Sequence, residues 1–188
     1  MNAGGVEWIG LPADTQGFVR RECPRCRRAF KTKGGPADGA IVQRHLGRHV
    51  PFQNPHEVAR DDAAFHCVYC GRLAGADAWC TPQQRAWLAT VGSALDQEIR
   101  FEQLAFAYRT LRDNPSPSFV PVPPPRALPA MPCEPDDMRG VAFFCCAEEV
   151  KVEAHWRQPV FCPRCGAQHH TGGAKQLRLR LLPEPVQA

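Results

Sequence analysis

Long apolar runs are what this sequence most plainly lacks. Met1 to Phe18 contains Glu7, Pro12, Asp14 and four glycines, so neither a signal peptide nor a membrane anchor is expected there. No strong excess of charge stands in for one, because the formal net charge is only +4 and by itself names no partner. Also missing are a phosphate-binding loop, a Ser-His-Asp set and a paired-carboxylate arrangement, the commonest grounds for reading an enzyme. A length of 188 residues allows one medium domain or two small ones, and small ones need staples.

Staples are what the chain has, as ten cysteines and seven histidines. The expected compartment is the cytosol, where cysteine serves metals and not disulfides. Cys23-Pro24-Arg25-Cys26, Cys67-Val68-Tyr69-Cys70-Gly71 and Cys162-Pro163-Arg164-Cys165-Gly166 are C-x-x-C knuckles. Two thiolates in such a turn reach one ion at about 2.3 Å while backbone N–H groups point at the sulfurs. Proline stiffens the turn, and glycine after the second cysteine supplies the positive φ by which the chain leaves it. These motifs resemble those of zinc-ribbon proteins, over residues 18–72 and 141–182. The resemblance implies a small β module and a zinc ion but no particular function.

The expected fold class is therefore small α+β and metal-stapled, with two zinc-ribbon modules joined by a long helix and a Pro-rich linker. The boundaries are 1–80 for an N-terminal ribbon with an inserted short helix, 81–113 for the helix, 114–135 for the linker and 136–188 for the C-terminal ribbon. Two zinc ions per chain are expected, one on Cys23, Cys26, Cys67 and Cys70, the other on Cys145, Cys146, Cys162 and Cys165. Cys145 and Cys146 are adjacent, and neighbouring strand residues face opposite ways, so both reach one ion only if the chain turns at Ala147. His169 or His155 is the alternative fourth ligand. A Cys2His2 finger of Cys23, Cys26, His45 and His49 competes for the first site. It would place eighteen residues between Cys26 and His45, where about twelve are usual, and would leave Cys67 and Cys70 without partners.

Local patterns place the remaining elements. Strands are expected at Phe18 to Glu22 and Arg28 to Lys33, with Phe30 inward, and an edge strand through Val6, Trp8 and Ile9. A helix is expected from Asp38 to about His49. A longer helix begins with Thr81 as N-cap, Pro82 at the first position and Gln84 completing a capping box, and continues to Arg112. It carries the stripes Gln84, Leu88, Val91, Leu95, Ile99 and Phe101, Leu104, Tyr108, Leu111, with a bend possible near Arg100. A ribbon is too small to cover both, so a protein partner or a second copy is expected on this helix. Nine prolines within residues 114–135 read as a semi-rigid spacer. In the C-terminal module, strands are expected at Val141 to Cys145, Glu149 to Glu153, Val160 to Cys162 and Gln176 to Leu182, around Trp156.

Three functional readings follow. The first is a non-enzymatic zinc module that binds DNA or RNA through a basic hairpin at residues 20–33, using Arg20, Arg21, Arg25, Arg27, Arg28, Lys31 and Lys33. The second is an adaptor or scaffold subunit using the helix and both ribbons. The third is a His-Asn-His nuclease, since such cores are often bracketed by two C-x-x-C knuckles and His45, His49, Asn54, His56 and His66 lie between two here. No acidic-His or His-His doublet supplies its base, and Asn54 and His56 fall in a proline-broken loop, so an enzyme is not expected.

Overall fold

The structure is a computed structural model that describes residues 9–47, 64–110, 122–123, 131, 133–170 and 180–181. Its framework is two hairpins of one design. Strands β1 (Phe18–Glu22) and β2 (Ala29–Lys33) pair antiparallel, with Phe18 opposite Lys33 and Glu22 opposite Ala29, and the first knuckle turns between them. Strands β5 (Met138–Phe143) and β6 (Glu148–Glu153) pair with Met138 opposite Glu153 and Phe143 opposite Glu148. Cys145 and Cys146 lie in their turn. Adding 120 to each member of the Phe18–Lys33 pair gives the Met138–Glu153 pair, so the two hairpins share a register residue for residue.

These hairpins are joined edge to edge. β2 pairs antiparallel with β6 at Lys31–Lys151 and Thr32–Val150, and β9 (Arg180–Leu181) adds beyond β5, giving the order β1-β2-β6-β5-β9. The layout expected from the sequence differs here, because the two cysteine units are not held apart by a spacer. Each hairpin has an edge whose N–H and C=O groups need partners, and each satisfies the other's. The far end of the linker also returns to β1, where Arg20 bonds Glu134 and Asp137.

The other two knuckles occupy short hairpins, β3 (Ala64–His66) with β4 (Leu73–Gly75), and β7 (Val160–Phe161) with β8 (Gln168–His169). These meet reciprocally, in a twofold-like way, as the long hairpins do at Lys31 and Lys151. His66 N donates to Pro163 O at 2.7 Å, and Phe161 N donates to Val68 O at 2.9 Å. Each donor precedes the first cysteine of its knuckle, and each acceptor follows the other's. The glycines repeat the symmetry: a Cβ on Gly71 would meet the Phe161 ring at 3.1 Å, and one on Gly166 the His66 ring at 2.8 Å. The main core is one cluster of Phe30, Tyr69, Trp79, Val141, Phe143, Val150, Trp156 and neighbours, drawn from both halves.

Helix α1 (Pro36–Gly47) starts where Asp38 Oδ2 accepts from Gly35 N at 2.9 Å. Helix α2 (Pro82–Thr110) starts with the expected capping box: Gln84 N donates to Thr81 Oγ1 at 3.1 Å and Thr81 N to Gln84 Oε1 at 2.9 Å. Gln84 Nε2 also donates to Arg20 O at 3.0 Å, which fixes the helix start against β1. Leu88 and Val91 pack on Val42 and Leu46, so beyond Gln84 the first stripe of α2 meets α1. The helix is continuous through Arg100. Val6, Trp8, His49, Asn54, His56, Leu111, Arg112, most of 114–132 and most of 176–182 lie outside the described residues. Among the described residues no helix is long and apolar enough to cross a membrane.

Candidate metal centres

The first cluster gathers Cys23 and Cys26 from the turn between β1 and β2 with Cys67 and Cys70 from the turn between β3 and β4. Cys23 Sγ lies 3.7 Å from Cys70 Sγ, and Cys26 Sγ lies 3.7 Å from Cys67 Sγ. Four sulfurs at about 2.3 Å from one ion in a tetrahedron would be about 3.8 Å apart, so the donors fit a four-thiolate ion. Cys23 and Cys67 are fully buried, packed with Phe30, Val68 and Trp79. Backbone N–H groups of Arg25 and Cys26 point at Cys23 Sγ, both at 3.4 Å, and that of Tyr69 at Cys67 Sγ, at 3.4 Å. Arg27 takes the left-handed conformation, φ 60°, that glycine supplies after Cys70.

Protonation differs among these thiols. Burial pushes Cys67 well up and Cys26 up to about 11. Burial opposes ionisation of Cys23 too, but the N–H groups of Cys26 and Arg25 and the Cys67 side chain outweigh it, and Cys23 lies below the usual thiol range. A cation that replaces the remaining protons removes the burial cost of holding thiolates there.

The second cluster is Cys145, Cys146, Cys162 and Cys165, all sulfurs within 4.8 Å of one another. Cys145 and Cys165, 3.6 Å apart, are exposed, whereas Cys162 is buried. The shared register explains the irregular knuckle. Phe143 holds the position of Cys23, Cys146 that of Cys26 and Cys145 that of Arg25, while Ala147, φ 53°, matches Arg27. The turn needed for adjacent cysteines to converge is therefore the same turn as in the first knuckle, with one ligand supplied from inside it. The clue in the sequence was the pair of runs Phe30-Lys31-Thr32 and Val150-Lys151-Val152, each beginning four residues after a knuckle's last cysteine.

His169 is buried edge-on to Phe143, with ring centroids 5.0 Å apart, and its Nε2 lies 3.5 Å from Cys145 Sγ. Burial lowers its pKa, favouring the neutral imidazole. It thus stands beside Cys145, outside the four-sulfur group. His155 is exposed next to Glu153 and belongs to neither cluster. Cys165 falls to about 7, chiefly through the Ala167 N–H, while burial opposes that shift. The alternative finger ligand His45 lies on α1, and Cys23 and Cys26 are grouped with Cys67 and Cys70 instead.

The basic hairpin is not the cationic face expected from its composition. Arg21 and Lys31 are buried. Arg21 pairs with Asp38 and donates to Thr32 Oγ1 at 3.1 Å. Lys31 lies 3.3 Å from Asp14, 3.1 Å from Glu134 and 3.3 Å from Asp137. Arg20 contacts Glu134 and Asp137, each at 2.6 Å. Arg28 pairs with Glu153 at 2.8 Å and lies 4.8 Å from the Trp156 ring centroid. Arg27 lies 3.3 Å from Glu22, and Lys33 donates to Gln16 O at 2.8 Å. Arg25 is exposed, with no ion pair among the described residues. Glu22 and Asp38 are local partners, whereas Asp14, Glu134, Asp137 and Glu153 come from outside the hairpin and complete the neutralisation.

Lys151, opposite Lys31 where β2 pairs with β6, shares Asp14 with it at 2.6 Å and also lies 3.1 Å from Asp136. Burial would raise the Asp14 carboxyl, but hydrogen bonds from Lys151, from the N–H groups of Phe18 and Gln16, and from Lys31 hold it at about 2. Comparison of the chain with models of known families, with curated proteins and with solved structures returned no match.

Proposed function

We propose that the chain is a non-enzymatic, zinc-stapled adaptor that presents the distal half of α2 to a basic amphipathic helix of a partner protein. The observation that carries this reading is the apolar face of α2 beyond α1. Leu95, Ile99 and Phe106 line a groove of about 490 Å³ together with Glu98, Glu102 and Gln103. Phe106 is 66% exposed. Covering such a face contributes about 25 cal/mol per Å² of apolar area, and the glutamates select cations beside the partner's apolar stripe. Soft thiolate donors favour zinc, and four of them leave no open position for a substrate, which supports a structural ion over a catalytic one. The internal pairing of the hairpin cations supports protein docking over polyanion binding.

Fluorescence anisotropy with a labelled Leu/Lys amphipathic peptide and its Leu/Glu counterpart tests the reading. The lysine peptide should bind at least about tenfold tighter, and Ile99→Asp or Phe106→Asp should abolish this with zinc content unchanged. Equal binding of both peptides, or binding of neither, overturns it. A dimer in sedimentation that the same substitutions dissociate would make a second copy the occupant. Low-salt binding of single-stranded DNA or RNA, reduced by Arg25→Gln with Arg27→Gln, would put the nucleic-acid reading first.

A further inference from the structure

The second cysteine cluster differs from the first in how its sulfurs meet solvent. Each close sulfur pair of the first cluster includes a fully buried member, Cys23 or Cys67. In the second, the pair at 3.6 Å is Cys145 with Cys165, and both are exposed. The cause is the substitution inside the turn. With Phe143 where Cys23 would be, ligation falls to Cys145, at the position of the exposed Arg25. That position faces outward in both hairpins.

We infer that Cys145 and Cys165 form a peroxide-sensitive thiol pair, whose oxidation to a disulfide releases the metal ion of this cluster alone. One thiolate attacks peroxide, the O–O bond breaks, and hydroxide leaves a sulfenic acid. The other thiolate attacks that sulfur, the S–S bond forms, and a second hydroxide departs. Two electrons pass from the sulfurs to the peroxide, and both hydroxides take protons from solvent to become water. The ion, left with Cys146 and Cys162, passes to solvent. The first cluster keeps its ion because the core covers Cys23 and Cys67, so neither close sulfur pair is open to peroxide on both sides.

The metal half of this inference rests on both clusters holding ions, whereas the thiol half does not. Full-length, zinc-loaded protein is treated with hydrogen peroxide while a chromogenic chelator follows release and non-reducing peptide mapping locates disulfides. Release of one ion of two, with a Cys145–Cys165 link, is the expected result, and reduction should restore binding. Cys145→Ser should slow release by at least about tenfold. Release of both ions at one rate, or a disulfide that omits Cys145 or Cys165, overturns the inference. If Cys145→Ser does not load a second ion, mapping of the wild-type chain decides. If the wild-type chain purifies without metal, the zinc reading fails, and the presence or absence of the Cys145–Cys165 link still decides the thiol pair.

Discussion

The two cysteine clusters are carried by hairpins of the same register, yet one has two buried and two half-buried cysteines and the other exposes Cys145 and Cys165 to solvent. Cys23 sits at the first position of a regular knuckle, packed with Phe30 and Trp79. Phe143 occupies the matching position in the other hairpin, where it fills the core with a ring and moves ligation outward to Cys145. One position in the turn thus decides whether the ligand or an apolar side chain is the buried group. The same backbone gives a four-cysteine group packed into the core in one case and at its rim in the other.

The strongest break in this comparison is a pair of single substitutions. Cys67→Ser should lose one ion and unfold the core, because structural zinc contributes folding free energy of about 10 kcal/mol or more. Cys165→Ser should also lose one ion but leave a cooperative melt, since its sulfur lies at the rim. Mass spectrometry of the native protein with circular dichroism melting separates the two outcomes. Equal loss of structure would mean that the clusters are energetically alike.

The junction between the hairpins is the next target. Asp14→Ala leaves Lys31 and Lys151 buried without their shared carboxylate, and should cost about 3–5 kcal/mol in urea unfolding. The pH dependence follows from its lowered pKa, about 2 in the folded chain against 3.8 unfolded. Its contribution of about 2 kcal/mol is complete above pH 4 and is lost as pH falls toward 2. The Asp14→Ala chain should lack that part of the acid transition.

Smaller effects test the contacts between the short hairpins. Gly166→Ala would place a Cβ 2.8 Å from the His66 ring at φ +71°, and Gly71→Ala one 3.1 Å from Phe161 at φ +67°. Each should cost about 1–3 kcal/mol by thermal melting, Gly166→Ala the more. Gly35, with open space around it, should tolerate alanine at little cost. Arg25→Gln should change stability by less than about 0.5 kcal/mol, for an exposed side chain with no ion pair among the described residues.

Local chemistry was legible in the residues. The three C-x-x-C knuckles and the Thr81–Gln84 box rest on contacts within a few residues, and the strand at Phe18 to Glu22 on the hairpin that its knuckle closes, which composition and spacing record. The adjacent Cys145 and Cys146 were legible as donors but not as a shifted knuckle, because the repeat that aligns Phe143 with Cys23 lies in backbone register. The basic hairpin misled for a related reason. Its Arg21 and Lys31 were counted where they stand in the chain, while Asp38, Asp14, Glu134 and Asp137 neutralise them in space.

The sequence alone thus determined the donors and the turns that present them, since a knuckle is closed by its own few residues. Tertiary structure alone decided that the two hairpins share a sheet. Strand edges carry no side-chain signature of their partner, and β2 could have been left as an edge by every local criterion. It also decided which cluster is buried and which charges remain at the surface, because burial depends on the segments that fold over a site from elsewhere in the chain.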